Sequence, residues 1–399
     1  MAQLAIKGGT PYRTKEFPGW TMITPADARG LQQVYDQSEW GIDGPKNKEF
    51  QEKFAAYSGT KHCITVANGT VSIELILRGL GIGRGDEVIV PPYTFIASIS
   101  SLIYAGVTPV FADIDKETFQ MSAQSAGQCI TPRTKAIMPV YVGGCPADLD
   151  AFEALCKQYG LYLIGDAAQA VGSTFNGRGI ASYAVATSIS CQNSKNLTCG
   201  EGGIILTDND ELYERIDRML HGGRDEDGNY IDLGLYNGMS EFQASILLTQ
   251  LEHLPAQIEK RMKNAAYLDE QLAKLPCVYP MKQDERITCN SYHLYLLGIR
   301  EDQLHGVSRD DFLAAVQAEG VPLVAGYVPA YSFDCLASDY TKKCIGGQIN
   351  LTPHTPNAET VGYHEGAWIY HAVLLGEQSD MDDIVGAITK VYQNLDELK

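Results

Sequence analysis

Long apolar runs are missing from this chain. No stretch approaches 18 consecutive apolar residues, so no membrane-crossing helix is expected. The opening text, MAQLAIKGGTPYRTKEF, has none of the apolar core of a secretory leader. Basic residues are scarce as well. Thirty-one Lys and Arg stand against 49 Asp and Glu, a net charge of −18, and no basic cluster exceeds a pair such as Lys342-Lys343. That balance excludes coating of nucleic acid or of an anionic membrane. The ten cysteines contain no C-x-x-C and no Cys/His pairing at zinc spacing. Neither a disulfide scaffold nor a metal site is therefore expected, and the thiols read as small, mostly buried hydrophobes in a reducing compartment. Repeats of 20–50 residues and low-complexity blocks are absent too, which sets solenoids and propellers aside. These absences describe a cytoplasmic globular protein.

What is present is a long chain with an ordinary core. Its 399 residues, 45% apolar and 20% charged, give a prior of two to three domains. Residues 62–207 alternate short apolar runs with helical-period runs. Strands are predicted at His62–Val66, Glu87–Val90, Pro109–Asp113, Lys135–Val142, Tyr162–Asp166, Val185–Cys191 and Gly203–Thr207. Between them lie helices with apolar stripes: Ile73, Ile76, Leu77 and Leu80, then Leu149, Phe152, Leu155, Cys156 and Tyr159, closed by Gly160. Such alternation predicts a mostly parallel sheet covered on both faces.

After Asp208 the text becomes helical, with helices predicted at Glu211–Leu220, Met239–Leu254 and Pro255–Leu275. A strand at Tyr292–Ile299 and a helix at Ser308–Glu319 follow. The last helix carries Met381, Ile384, Val385, Ile388, Val391, Tyr392 and Leu395 on one face, with a capping box expected from Ser379 and Asp382. The expected organisation is an N-terminal arm (1–43), a large α/β domain (44–255), and a linker helix with a smaller C-terminal α+β domain (256–399).

Four features fall at the C-terminal ends of predicted strands, where parallel sheets bind ligands. Asn68-Gly69-Thr70-Val71 opens a helix, and its free amides with the Thr70 hydroxyl suit a phosphate. Asp166, in Gly165-Asp166-Ala167-Ala168-Gln169, suits a cationic ring nitrogen. Lys195, in Gln192-Asn193-Ser194-Lys195 before Gly200-Glu201-Gly202-Gly203, suits a lysine whose pKa falls on burial until its amine can form a Schiff base. Pro91-Pro92-Tyr93-Thr94-Phe95 offers an aromatic face. Singly, these also fit an N-cap at Asn68, an N-cap at Asp166, a loop lysine and a core aromatic. Jointly they meet the needs of pyridoxal 5′-phosphate, which carries a phosphate, a pyridinium and an aldehyde.

The chain resembles the DegT/DnrJ/StrS family of fold-type I pyridoxal-phosphate aminotransferases, which act on keto sugars and cyclitols. The likeness runs from GGTPYRT and SEWGIDGP through VANGTVSIELIL, GDEVIVPPYTFIAS, TPRTKAIMPVYVGG, GDAAQAVGS, QNSKNLTCGEGG and MSEFQASIL to LLGEQSDMDDIVGAITKV. It implies Lys195 and Asp166 as the catalytic pair. It also implies Gly69, Thr70, Val71 and Ser190 at the phosphate, Phe95 stacked on the ring, and Gln169 near the ring hydroxyl. Asn237 matches a residue that reaches the neighbouring subunit's phosphate. The family's G-x-N-Y-R-M-S reads Gly234-Leu235-Tyr236-Asn237-Gly238-Met239-Ser240 here, without the arginine and with the asparagine displaced by one. Cys191 stands where phenylalanine is usual. A homodimer with shared sites is also implied.

The same resemblance implies a ping-pong transfer from L-glutamine or L-glutamate to a cyclitol or keto-sugar ketone. QNSK with GEGG is most similar to the branch of scyllo-inosose aminotransferases and 3-amino-5-hydroxybenzoate synthases. Two alternatives stand beside it: dehydration with aromatisation, and a non-catalytic cofactor-binding regulator. Dehydratases of this fold carry histidine in place of Lys195. Tyr292, His293 and the Tyr327–Tyr331 loop are candidate substrate contacts. GLGIGRGD (79–86) reads as a helix-ending turn, DEDGNYID (225–232) as a solvated loop with glycine misplaced for calcium, and Asn68-Gly69-Thr70 as no glycosylation site.

Overall fold

The computed structural model describes residues 3–399. Strands β1 (His62–Val66), β2 (Glu87–Val90), β3 (Thr108–Phe111), β4 (Thr134–Ile137) and β5 (Tyr162–Asp166) alternate with helices. A short hairpin, β6 (Thr174–Phe175) and β7 (Arg178–Gly179), precedes β8 (Ala186–Ser190) and β9 (Gly203–Thr207). The C-terminal part adds β10 (Val278–Pro280), β11 (Ile287–Cys289), β12 (Leu294–Ile299), β13 (Val324–Ala325) and β14 (Gly366–Tyr370).

Seven strands form the main sheet in the order β1-β9-β8-β5-β4-β2-β3. Only β9 runs antiparallel to its neighbours β1 and β8. The expected mostly parallel α/β sheet is what the chain adopts. The predicted strand 135–142 stops at Ile137, because Pro139 has no N–H to give the ladder. Helices cover both faces. In the one at Gly69–Gly79, Ile73, Ile76 and Leu77 are at most 2% exposed, each burial contributing about 1.5–3 kcal/mol. The helix Leu149–Tyr159 ends, as expected, at Gly160 with φ +65°.

A second, antiparallel sheet of order β10-β12-β14-β13 builds the C-terminal unit. Between the two sheets one helix runs unbroken from Glu241 to Leu272, where two helices were expected on either side of residue 255. Pro255 is tolerated because it lies on the exposed side, where the carbonyl it leaves free can meet water. The final helix is Gln378–Gln393, and its capping box is formed by Glu377 and Asp380 rather than Ser379 and Asp382. Asp380 is buried against Arg13 (2.8 Å), which fixes the helix start two residues earlier. Six of the ten cysteines are buried, and all are free. Among the described residues no helix is long and apolar enough to cross a membrane, and no group of side chains could hold a metal ion.

Candidate active site

Sheet register gathers the site. Val66 pairs with Gly203 on β9, and Gly203 pairs with Ser190 on β8, so three chain segments end side by side. Beyond β1, Ala67 N–H donates to the Asn237 carbonyl at 2.7 Å. Asn68 then caps the helix, its Oδ1 accepting the Val71 N–H at 2.9 Å. That cap consumes the Val71 amide, leaving those of Gly69 and Thr70, with the Thr70 hydroxyl, at the positive end of the helix. A Cβ on Gly69 would lie 2.9 Å from Ser190 Cβ, so the turn seats directly against β8.

At the end of β5, Asp166 is 2% exposed. Its Oδ2 accepts from Ser98 Oγ at 2.6 Å, and its Oδ1 from the Ala168 N–H at 3.1 Å. Thr94 Oγ1 lies 2.8 Å from Ser98 Oγ and extends the chain. Burial raises the carboxyl pKa, opposed by Ser98, the Ala168 amide and Lys195. Such a group wants a buried cation beside it.

Lys195 stands half-buried on the loop between β8 and β9. Burial lowers its pKa, opposed by the charges of Asp166 and Cys191. Its loop is pinned from several sides. The Asn193 carbonyl accepts from Trp20 Nε1 (3.0 Å), the Ser194 carbonyl from His371 Nε2 (2.8 Å), and Gln192 Oε1 from the Ser194 amide (2.8 Å). Gln169 is fixed at both ends of its amide, accepting from Gly143 N–H (2.8 Å) and donating to Tyr327 Oη (2.9 Å).

These elements line one cleft of about 870 Å³. Gly69, Thr70, Val71, Phe95, Asp166, Gln169, Ser190 and Lys195 all reach it. Phe95 leaves 57% of its surface exposed there, a flat platform. Asn237 lines no part of it and acts within the chain through its backbone carbonyl. Of the expected substrate contacts, His293 and Tyr327 line the cleft. Tyr292 does not. It packs into the C-terminal core near Tyr295, with its hydroxyl on Gln283. Tyr331 turns away to Thr355 (2.9 Å) and Glu359 (3.0 Å).

Sequence reading missed Ser98, which sits four residues after Thr94 at the start of a helix. It also missed Trp368 and Tyr370, whose one signal was their alternate spacing on β14. Glu74 and Glu201 add carboxylates to a lining in which Lys195 is the one lysine or arginine among the described residues. Glu74 is paired with Arg78 at 2.7 Å.

The arrangement puts an amine of lowered basicity, a buried carboxylate, a helix N-terminus and an aromatic platform around one space. Residues 23–388 match the DegT/DnrJ/EryC1/StrS aminotransferase family. L-glutamine:2-deoxy-scyllo-inosose aminotransferase of Streptomyces paromomycinus is 34% identical over 98% of both chains. The crystal structure of 3-amino-5-hydroxybenzoic acid synthase superposes with a TM-score of 0.87 at 29% identity, covering 95% of this chain and 99% of that one. DesI, crystallised in the presence of its TDP-sugar product, gives 0.85 at 27% identity over 99% and 97%. The chain is thus an aminotransferase and belongs to the DegT/DnrJ/EryC1/StrS family.

Proposed function

We propose that the cleft holds pyridoxal 5′-phosphate and that the chain moves an amino group from L-glutamine to the ketone of a cyclitol. The observation that carries this is the meeting of Asp166 and Lys195 in one cleft with a helix N-terminus and Ser190. Each residue fits a part of the cofactor. Asp166 is a buried carboxylate whose raised pKa calls for a cationic ring nitrogen. The amides of Gly69 and Thr70 and the hydroxyls of Thr70 and Ser190 would frame a phosphate at the positive helix end, with Val71, its own amide taken by Asn68, only lining the turn. Phe95 would give the ring a face, and Gln169 would serve the ring hydroxyl.

Bound there, pyridoxal 5′-phosphate supplies an aldehyde that condenses with amines and a ring that takes up electrons from a neighbouring carbon. The protein's part is to orient and to move protons. Asp166 holds the ring end, kept in place by Ser98 and the Ala168 amide. Lys195 Nζ, its ammonium weakened by burial, gives up and regains a proton beside the reacting carbon. Donor and acceptor use the same cleft in turn, so the cycle is ping-pong.

Glutamine is favoured over glutamate by the name of the Streptomyces relative. The carboxylate of Glu201, which has no ion-pair partner among the described residues, favours it too, since it disfavours a second acid group on the donor. It also disfavours a nucleotide-linked sugar. Free cyclitol acceptors belong to aminocyclitol antibiotic pathways, and a cytoplasmic setting suits the free thiols. The proposal includes a homodimer in which Asn237 serves the neighbouring site. Tyr230, Ile231, Leu233 and Tyr236, 56–89% exposed on the adjoining loop, support it.

A spectrum of the protein with pyridoxal 5′-phosphate tests the reading. A visible band that bleaches with L-glutamine, and is absent in Lys195→Ala, upholds it; no band sinks it. The likeness to 3-amino-5-hydroxybenzoic acid synthase favours a second reading, dehydration to an aromatic product. Loss of water with a new aromatic absorbance would establish that one instead.

A further inference from the structure

We infer that His293 presents a fixed hydrogen-bond acceptor, Nε2, to the cleft, and so selects substrates that place a neutral donor there over those that place a carboxylate. The donor is a ring hydroxyl or a carboxamide.

The argument is one of hydrogen-bond direction. Asn196 Nδ2 lies 2.8 Å from the Ser291 carbonyl oxygen. A carbonyl only accepts, so this contact settles which end of the Asn196 amide is nitrogen. Asn196 Oδ1 therefore faces His293 Nδ1, at 3.1 Å. An amide oxygen cannot donate, so His293 carries its proton on Nδ1. In the neutral ring, Nε2 is left with a lone pair and no hydrogen. Turning the ring over would set a C–H against Asn196 Oδ1 and lose the bond.

The ring is held neutral by its surroundings. It is 4% exposed and stacks on His371 at 5.4 Å and 27°. The cations near it are Lys195 and the buried Arg261, and with burial they oppose a further positive charge. Among the described residues Nε2 has no protein partner, and His293 lines the cleft with Lys195, Gln169, Tyr327 and Trp368. A hydroxyl or carboxamide can donate to that lone pair. A carboxylate cannot, and Glu201 in the same lining adds repulsion. Selection by an acceptor that the wrong substrate leaves without a donor is stronger than selection by shape.

This inference rests on the aminotransferase reading, in which a ring hydroxyl comes from the acceptor and a carboxamide from glutamine. The ping-pong cycle lets the two be measured apart, through absorbance changes with each substrate alone. In His293→Phe, the half-saturating concentration of glutamine, of the cyclitol ketone, or of both is expected to rise about tenfold. A rise with glutamine, together with a narrowed preference over glutamate, identifies the carboxamide; a rise with the ketone identifies the hydroxyl. His293→Gln, which keeps an acceptor, is expected to recover most of the loss. Independently of any variant, ¹⁵N NMR of histidine-labelled protein should show His293 as the neutral Nδ1–H tautomer at neutral pH. Unchanged half-saturation for both substrates in His293→Phe, or an Nε2–H or doubly protonated ring, would overturn the inference. Bleaching of the wild-type band by glutamine upholds the aminotransferase reading whatever the variant does, so the two claims fail separately.

Discussion

Arg261 points Nη2 at Nδ1 of His371 across 3.2 Å, at a depth where neither reaches water. No carboxylate accompanies the guanidinium among the described residues, and its Nε and Nη1 have no partner. Burial presses its pKa down to about 9, and the Trp20 ring lies 5.7 Å away. Because Nδ1 of His371 accepts from Arg261, Nε2 carries the proton and donates to the Ser194 carbonyl, next to Lys195. Arg261 thus positions the lysine loop at the cost of an uncompensated buried charge. Arg261→Met should therefore raise the unfolding free energy by about 1–4 kcal/mol, as replacement of buried charge by apolar volume often does. The same change should lower turnover about tenfold through the lost orientation of His371. Denaturant unfolding and steady-state rates check both. A less stable Met variant would show that the charge is compensated after all.

The same pair dictates a pH dependence. Burial, then Arg261, push the His371 pKa down to about 3. Between about 6.5 and 3 the unfolded chain binds a proton here that the folded chain refuses. Stability contributed by the neutral ring is thus complete above about 6.5 and falls by about 1.4 kcal/mol per pH unit below it. His293 is displaced in the same direction and adds to the slope. Asp269, raised by burial to about 6, works oppositely between about 3.8 and 6, where the folded form holds the extra proton. Unfolding free energies measured between pH 6.5 and 5 should decline less steeply in His371→Phe than in the parent, by about 1.4 kcal/mol per unit. Equal slopes would place the histidine's titration elsewhere.

Much of this was legible in the sequence because it is local. β1, β2, β5 and β9 begin and end where their apolar runs do; Asp166 and Ser190 close their strands, Asn68 follows β1, and Lys195 lies on the loop after β8. What escaped is tertiary. Whether Pro255 ends a helix depends on which side of that helix faces solvent. Ser379 lost its cap role because Asp380 is claimed by Arg13, more than 360 residues away along the chain. Tyr292 and His293 are adjacent, yet one enters the C-terminal core and the other the cleft. Trp368 and Tyr370 reach the site from a strand of the second sheet. Arg261 reads as one more charge on a helix until its burial is seen.

Ser98 is the strongest opponent of burial at Asp166, donating at 2.6 Å to Oδ2. Without that hydroxyl the carboxyl pKa rises further, and a larger share of the protein carries a protonated, neutral Asp166. In Ser98→Ala the acid limb of the pH–rate profile should move to higher pH, with turnover at neutral pH down about tenfold. Stability should change by only about 1 kcal/mol. A profile that keeps its limb while activity falls would assign Ser98 a packing role alone.

Gly203 is where β9 presses against the Asn68–Val71 turn, the proposed phosphate turn. A Cβ there would meet the Asn68 carbonyl carbon and oxygen at 2.4 Å, and these are backbone atoms that cannot swing aside. Accommodating it requires moving the turn away from Ser190, against which Gly69 sits so closely that a Cβ on Gly69 would lie 2.9 Å from Ser190 Cβ. Gly203→Ala should thus cost about 1–3 kcal/mol of stability. It should also weaken retention of pyridoxal 5′-phosphate at least tenfold, read by equilibrium dialysis and thermal melting with and without added cofactor. Gly200 offers the control within the same loop. Its φ of +89° strains any substitution, but a Cβ there meets nothing within 4 Å. Gly200→Ala should therefore cost stability while leaving cofactor retention intact. Equal loss of cofactor in both variants would mean that loop strain, and not the close approach of β9 to Asn68, governs the phosphate turn.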